Sequence, residues 1–146
     1  MKEAIVVLAS QSPNRLKLLQ QIGLKNVIVK VSNFEENLPK TLPVKQFVIE
    51  TAKGKLATIV EEMSKNQEPY SVIIACDTVI EFNGEIIGKP TDANDAIETL
   101  KRNKAGSYGI GDFAAVFVRG IEGCMPNVVG LPLHRLHQAL IAKNIL

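Results

Sequence analysis

The stretch that most constrains the fold is residues 4–23, AIVVLASQSPNRLKLLQQIG. The consecutive apolar residues 5–8 are typical of a strand that is covered on both faces. Ser12 suits a helix N-cap, Pro13 suits the first helical position, and apolar residues then recur at helical spacing. Gly23 suits the position just after a helix. The stretch therefore predicts a buried strand, a short polar loop and a helix.

Arg15 stands in the first turn of this predicted helix, where a cation faces the positive end of the helix dipole. A bound anion would reverse the sign of that interaction, because free N–H groups, the guanidinium and the hydroxyls of Ser10 and Ser12 would all point at it. Alternatively, Arg15 reaches back to a nearby carboxylate. Taken by itself, the pattern Ser-x-Ser-Pro-x-Arg favours the carboxylate partner.

Composition restricts the class of protein. With 146 residues, 46% apolar and 22% charged, the chain is predicted to form one globular domain with a hydrophobic core. A net charge of +2 without a basic run argues against a nucleic-acid partner, and no apolar stretch has the length of a membrane span. Residues 1–10 do not have the pattern of a signal peptide, so we expect a cytoplasmic location. Cys76 and Cys124 are expected to be reduced packing residues, without a metal-ligand spacing.

Predicted strands and helices alternate along the rest of the chain. Strands are predicted at residues 26–31, 79–82, 85–87, 113–119 and 127–131, and helices at residues 43–64, 92–102 and from Pro132 onward. Asn83-Gly84 supplies the positive φ angles of a hairpin turn. The final helix is expected to bury Leu133, Leu136, Leu140 and Ile141 and to place His134 and His137 on the surface. This alternation, with one hairpin, predicts a mixed α/β domain.

Two charged residues interrupt apolar patterns. Residues 71–80, SVIIACDTVI, have the strongest strand pattern of the chain, and Asp77 lies within it. A carboxylate in such a setting is costly unless it is paired, hydrogen-bonded or bound to metal, and both chemistry and structural ion pairs place one there. Lys55 lies at the edge of the apolar stripe of the long helix, which comprises Val44, Val48, Ala52, Leu56, Ile59 and Met63. Its head can reach water there while its stem packs.

Several of these segments together resemble the Maf family of nucleoside triphosphate pyrophosphatases. Residues 8–15, LASQSPNR, are similar to the family's L-A-S-x-S-P-R-R, and Glu36 stands where the family has an acid after its second strand. The other similar segments are Lys55 in TAKGKL for the lysine of the long helix, residues 75–78 (ACDT) for G-A-D-T, residues 88–90 (GKP) for G-K-P, and residues 104–110 and 127–133 for the closing motifs. One such motif is a weak indication, whereas seven in the family's order are specific.

The resemblance implies an α/β fold, with helices flanking a mixed twisted sheet, and an activity. That activity is hydrolysis of a nucleoside triphosphate to the monophosphate and pyrophosphate, assisted by a divalent metal ion. The family's animal members suggest dTTP, UTP or modified pyrimidine nucleotides as substrates. Family members often form homodimers, so a homodimer is the protein partner that the resemblance implies.

The resemblance also implies roles for individual residues. Residues that would hold the triphosphate are Arg15, Lys55 and Lys89, with Ser10 and Ser12 donating hydrogen bonds from the first loop. Asp77 would act as the general base on the water that attacks the α-phosphorus, as a metal ligand, or as both. Glu36 would help to bind Mg²⁺ or Mn²⁺, which usually keeps several waters and bridges to phosphate oxygens.

The chain departs from the family pattern in its closing part. Asn103 stands where the family has an aspartate, and Gly111 where it has a glutamine that is usually counted among the site residues. Moreover, residues 100–103 lead almost directly into the closing motifs, where the family has a threonine-glycine motif, a central strand and a helix. We therefore expect one Maf-like domain over residues 1–146, shortened between about residues 100 and 104. The alternatives are a weakened or inactive nucleotide-binding isoform or paralogue and, less favoured, a purely structural domain.

Restoring the family's missing segment should raise both stability and turnover. A strand lost from the middle of a sheet leaves unpaired backbone groups or exposes an edge. Urea unfolding midpoints and rates of pyrophosphate release, measured side by side for this chain and the restored chain, test the expectation. Equal stability and equal rate would contradict it.

Overall fold

The computed structural model describes residues 4–87 and 118–146, with the isolated positions 94 and 116. Its strands are β1 (Val6–Ala9), β2 (Val27–Lys30), β3 (Val72–Ala75), β4 (Ile80–Phe82) and β5 (Glu85–Ile87). Its helices are α1 (Pro13–Gln21), α2 (Val44–Lys65), α3 (Met125–Val129) and α4 (Leu133–Ala142).

β1 is the central strand of a parallel sheet with the order β2-β1-β3. All four of its residues are buried because the sheet is covered on both faces. Val6 and Leu8 pack with side chains of α1 and α4, whereas Val7 and Ala9 pack against α2. The predicted buried strand and the α/β class are confirmed, with the strand one residue later than expected.

The order of the strands indicates where a ligand site is expected. The chain passes from β1 to β2 on one side and then crosses, through α2, to β3 on the other side of β1. In open α/β sheets, ligands bind outside the carboxyl ends of the strands where the connections diverge in this way. Ala9 pairs in register with Ala75, so the loops after β1 and β3 leave the sheet next to each other.

The first helix begins and ends as the sequence predicts. Ser12 is the N-cap, its hydroxyl accepts a hydrogen bond from the Arg15 backbone N–H at 3.5 Å, and Pro13 opens the helix. Gly23 follows the helix with φ +97°, a backbone angle that favours glycine. The hairpin is also confirmed: β4 and β5 pair antiparallel, and Asn83 and Gly84 have φ angles of 51° and 81°.

The sequence prediction for residues 71–80 was wrong about Asp77. β3 ends at Ala75, so Asp77 follows the strand instead of interrupting it. The physical reason lies in the neighbouring strand: β1 ends at Ala9, the register partner of Ala75, and Ser10 already belongs to a loop. β3 therefore loses its pairing partner at that point, and Asp77 lies just beyond the carboxyl end of the strand.

The buried line of α2 also differs from the predicted stripe. The buried residues are Phe47, Thr51, Ile59 and Met63, spaced at intervals of four or eight. Lys55 falls on this line and not at its edge, because it lies four residues after Thr51 and four before Ile59. The predicted stripe residues Val44, Val48, Ala52 and Leu56 are only partly buried.

Residues 127–131 do not form the predicted strand. Residues 125–129 form the short helix α3 instead, in which Asn127 and Val128 donate backbone hydrogen bonds to the Cys124 carbonyl at 3.0 and 3.3 Å. Pro126 suits the first turn of a helix, and Gly130, with φ +142°, ends it. These local signals outweigh the strand preference of two adjacent valines.

The last predicted helix is confirmed as α4, with one correction. Leu140 is buried, and Leu133 and Leu136 pack against the same core, but Ile141 is 49% exposed. Ile141 lies about 100° around the helix from Leu140, which turns it away from the sheet.

Other expectations concern the cysteines and the residues outside the described ranges. Cys76 and Cys124 are both free, but Cys124 is exposed and is not a packing residue. Lys89 and most residues of the predicted helix 92–102 and of the predicted strand 113–119 lie outside the described residues. Of the described helices, none combines the length and the hydropathy that a bilayer crossing needs.

Candidate functional site

Arg15 joins three separate segments at the carboxyl end of the sheet. Its guanidinium donates from Nη1 to Ser10 Oγ at 3.0 Å and from Nη2 to Thr78 Oγ1 at 3.0 Å. Its Nε donates to the Gly130 carbonyl at 3.1 Å, across 115 positions of sequence. Within the described residues these acceptors are all neutral oxygens, so the carboxylate partner considered from the sequence is not what holds Arg15. Among the described residues, no carboxylate offsets its positive charge.

Gly130 permits this arrangement by its backbone and by its size. Its φ of +142° is strained for any residue with a side chain, and a Cβ there would lie 3.2 Å from Arg15 Cγ. The carbonyl of Gly130 also lies 3.5 Å from Thr78 Oγ1, which donates to it. The end of α3 therefore closes over the Arg15 side chain.

Two serine hydroxyls line the loop between β1 and α1. Ser10 Oγ accepts from the Ser12 backbone N–H at 3.2 Å as well as from Arg15, and Ser10 is 9% exposed. Ser12 Oγ accepts from the Arg15 backbone N–H. These bonds use the lone pairs of the hydroxyls, so each O–H can still donate to a further acceptor such as a phosphate oxygen.

Lys55 holds two carboxylates that come from different segments. Its Nζ lies 2.8 Å from Asp77 Oδ1, in the loop after β3, and 2.7 Å from Glu36 Oε1, in the loop between β2 and α2. The side chains of Lys55 and Asp77 are only 14% and 8% exposed, whereas that of Glu36 is 56% exposed. The cluster thus has a buried pair and an open carboxylate at its mouth.

The electrostatic surroundings fix two protonation states. Burial lowers the pKa of Lys55, but the hydrogen bonds that its ammonium donates to Asp77 and Glu36 outweigh this effect, so the pKa is raised and the ammonium persists at neutral pH. Burial raises the pKa of the Cys76 thiol more strongly than Arg15 and Lys55 lower it. Cys76 therefore stays a thiol and does not have the character of a nucleophile.

The two clusters adjoin because Asp77 and Thr78 are consecutive. Asp77 contacts Lys55 while Thr78 contacts Arg15, so the acid and two of the three cations predicted from the sequence meet at the carboxyl end of the sheet. Sequence reasoning missed Thr78 and Gly130 as partners of Arg15. The signal was present, since Thr78 follows Asp77 in ACDT and Gly130 lies in the closing motif NVVGLPL. Lys89, also predicted here, lies outside the described residues.

The carboxylates of Glu36 and Asp77 could hold a hard cation. Both reach the same ammonium within 2.8 Å, so their oxygens already converge on a single positive charge. No cluster of three or more His, Cys, Asp or Glu side chains that could hold a metal occurs within the described ranges. Mg²⁺ needs no such cluster, because one or two carboxylates with water and substrate phosphates complete its shell. His134 and His137 are exposed, as expected.

The chain matches the family model of the Maf-like proteins in two pieces, residues 5–104 and residues 101–143. The pieces together span most of the chain and meet at residues 101–104. A continuous domain gives one match, whereas a chain that lacks an internal segment of the family gives two. The split therefore indicates a shortened domain, at the place where the sequence motifs predict it.

Bacterial relatives agree with this match. The chain is 29% identical over 192 positions to the dTTP/UTP pyrophosphatase of Clostridium botulinum strain Okra, with 96% of this chain and 97% of the relative covered. It is 30% identical over 186 positions to the protein of that name from Caldicellulosiruptor saccharolyticus, covering 92% of each. The protein of that name from Colwellia psychrerythraea is 29% identical, covering 92% of this chain and 86% of the relative. An alignment of 192 positions on 146 residues leaves at least 46 positions without a counterpart in this chain.

Replacing Lys55 should destabilise the protein more than replacing a neighbouring lysine. Lys55→Met leaves the nearly buried Asp77 without its cation, and we expect a loss of about 1–3 kcal/mol, less than for a fully buried pair because Glu36 is open to water. The matched control is Lys53→Met, whose side chain is 66% exposed and pairs with Glu50 at 2.9 Å. Urea unfolding measures both. Equal losses would contradict the assignment, and Asp77→Asn should reduce the loss caused by Lys55→Met.

Proposed function

Because the chain belongs to the Maf-like protein family, we propose that it hydrolyses a nucleoside triphosphate to the monophosphate and pyrophosphate. The observation that carries the proposal is the meeting of Arg15, Lys55 and Asp77 where the loops after β1 and β3 leave the sheet. Phosphoryl transfer depends mainly on positioning and on neutralising charge. Two cations beside a carboxylate suit both needs.

The triphosphate binds along the loop between β1 and α1. The guanidinium of Arg15 can exchange its neutral partners, Ser10 and Thr78, for phosphate oxygens, with which it forms stronger charge-assisted bonds. The hydroxyls of Ser10 and Ser12 donate to the same anion at the N-terminus of α1. Lys55 adds a second cation, and Lys89 a third if it reaches the site as the family motif implies.

Asp77 activates the water that attacks the α-phosphorus. As general base it accepts a proton while the water oxygen bonds to phosphorus and the bond to the bridging oxygen breaks, releasing pyrophosphate. The Lys55 ammonium at 2.8 Å holds the carboxylate in place for this task. Asp77 also remains a candidate metal ligand, and one carboxylate with two oxygens can fill both roles.

A divalent cation fits the carboxylate pair. Glu36 and Asp77 would hold Mg²⁺ or Mn²⁺, and the bound ion would supply charge neutralisation at the phosphate oxygens. Lys55 lies between the two acids, so its ammonium would have to shift in part to admit a cation. Its three N–H donors are then available to phosphate.

The finer substrate assignment follows the names of the relatives. We propose dTTP and UTP, or modified pyrimidine nucleotides, as the substrates of this chain. The homodimer and the cytoplasmic location implied earlier remain predictions. The shortened domain favours a second candidate function, in which the anion site persists but turnover is weakened or lost.

Pyrophosphate release from dTTP and UTP with Mg²⁺ tests the proposal in the wild type and in Asp77→Asn. The substitution keeps the shape of the side chain and removes its charge, and we expect a rate about 10²–10⁴-fold lower, as for loss of a general base. The matched control is Glu61→Gln, an exposed acid that pairs with Lys65 away from the site, and its rate should not change.

The outcomes separate the two candidates. Turnover by the wild type that Asp77→Asn retains would contradict the role of Asp77. Binding of dTTP by the wild type without any turnover would favour the nucleotide-binding protein over the enzyme.

A further inference from the structure

Gly54 is an unexpected residue in the middle of α2. Glycine weakens a helix interior relative to alanine, so its presence at this position of a 22-residue helix needs a reason. The reason is the ring of Phe34: a Cβ on Gly54 would overlap Phe34 Cε2, Cζ and Cδ2. The missing side chain therefore provides the surface on which the ring sits.

Phe34 belongs to the loop of residues 31–43, which carries Glu36. The backbone N–H groups of this loop make short-range hydrogen bonds: Phe34 N–H donates to Ser32 Oγ at 3.1 Å, and Asn37 N–H donates to the Glu35 carbonyl at 2.9 Å. The loop reaches α2 through the Phe34 ring at Gly54 and through Glu36 at the next helical residue, Lys55. Two consecutive residues of the helix thus receive two side chains of the loop.

Glu36 needs such an anchor. Its side chain is 56% exposed, and an exposed ion pair contributes little to holding a loop in one place. An aromatic ring packed on a helix backbone restricts the loop more strongly, because it removes apolar area from water. The position of Glu36 therefore depends on the ring two residues before it.

We propose that Phe34 and Gly54 are positioning residues for the Glu36 carboxylate. The ring packed on Gly54 holds the loop next to Lys55. Glu36 can then reach the cation site that it shares with Asp77. The role in metal binding rests on the proposed function. The docking of the loop itself does not.

The substitution Gly54→Ala separates positioning from stability. Alanine strengthens the helix while the displaced ring loses apolar contact, so the melting temperature should stay close to that of the wild type. The added methyl group displaces the Phe34 ring, and we expect Mn²⁺ alone to bind about tenfold more weakly, in the range found when a supporting partner of a metal ligand is lost.

The matched control is Ala57→Gly, on the exposed side of the same helix. It should lower the melting temperature and leave the affinity for Mn²⁺ unchanged. In Gly54→Ala, the further change Phe34→Leu removes the ring atoms that collide with the methyl group and should recover most of the affinity. In a Glu36→Gln background, Gly54→Ala should have no further effect on Mn²⁺ binding.

Mn²⁺ affinity is read by electron paramagnetic resonance, and docking is read by nuclear Overhauser contacts between the Phe34 ring and the Gly54 α-protons without metal. Unchanged Mn²⁺ affinity in Gly54→Ala would overturn the proposal while leaving the proposed function intact. If the wild type binds no Mn²⁺, the metal-dependent function fails instead. The loop docking is then decided by the Overhauser contacts, and their absence would overturn it.

Discussion

The ion pair between Lys55 and Asp77 is the interaction on which the arrangement of the site depends. The Asp77 side chain is 8% exposed, so its carboxylate needs a partner. That partner, Lys55, lies on α2, which packs against one face of the sheet. Because Ile59 and Met63 fix α2 against β1, the ammonium one turn earlier arrives at the end of β3 without further adjustment. The packing of α2 on the sheet therefore also determines where the Lys55 ammonium lies.

Arg15 holds together the other cluster of the site. It is the point at which the first loop, the loop after β3 and the end of α3 meet, through Ser10, Thr78 and Gly130. Gly130 comes from the closing motifs, after the place where the family match divides. The closing part of the chain therefore still contacts the loop between β1 and α1 and the start of α1. Binding and turnover therefore need separate measurements.

Local signals in the sequence predicted the fold where they agreed with one another. The Ser12 cap, Pro13, Gly23 and the Asn83-Gly84 turn each specify a backbone conformation, and the structure follows them. Residues 127–131 were predicted wrongly because two valines were weighed above Pro126 and Gly130, whose backbone preferences decide the local structure.

Asp77 and Lys55 were singled out correctly as unusual, but their surroundings depend on where a neighbouring strand ends and on which line of α2 is buried. Hydrophobic patterns do not contain that information. The contacts of Phe34 with Gly54 and of Arg15 with Gly130 join distant segments, and no local pattern predicts them.

We propose that the cluster around Arg15 and the cluster around Lys55 together bind one triphosphate. Calorimetric affinity for a dTTP analogue with an imido group between the α- and β-phosphorus tests it most directly. Arg15→Gln should weaken binding about tenfold or more, since bonds to charged groups contribute about 1.5–3 kcal/mol, and Lys17→Gln on the exposed side of α1 should not. Equal affinity in the wild type and both variants would contradict the account.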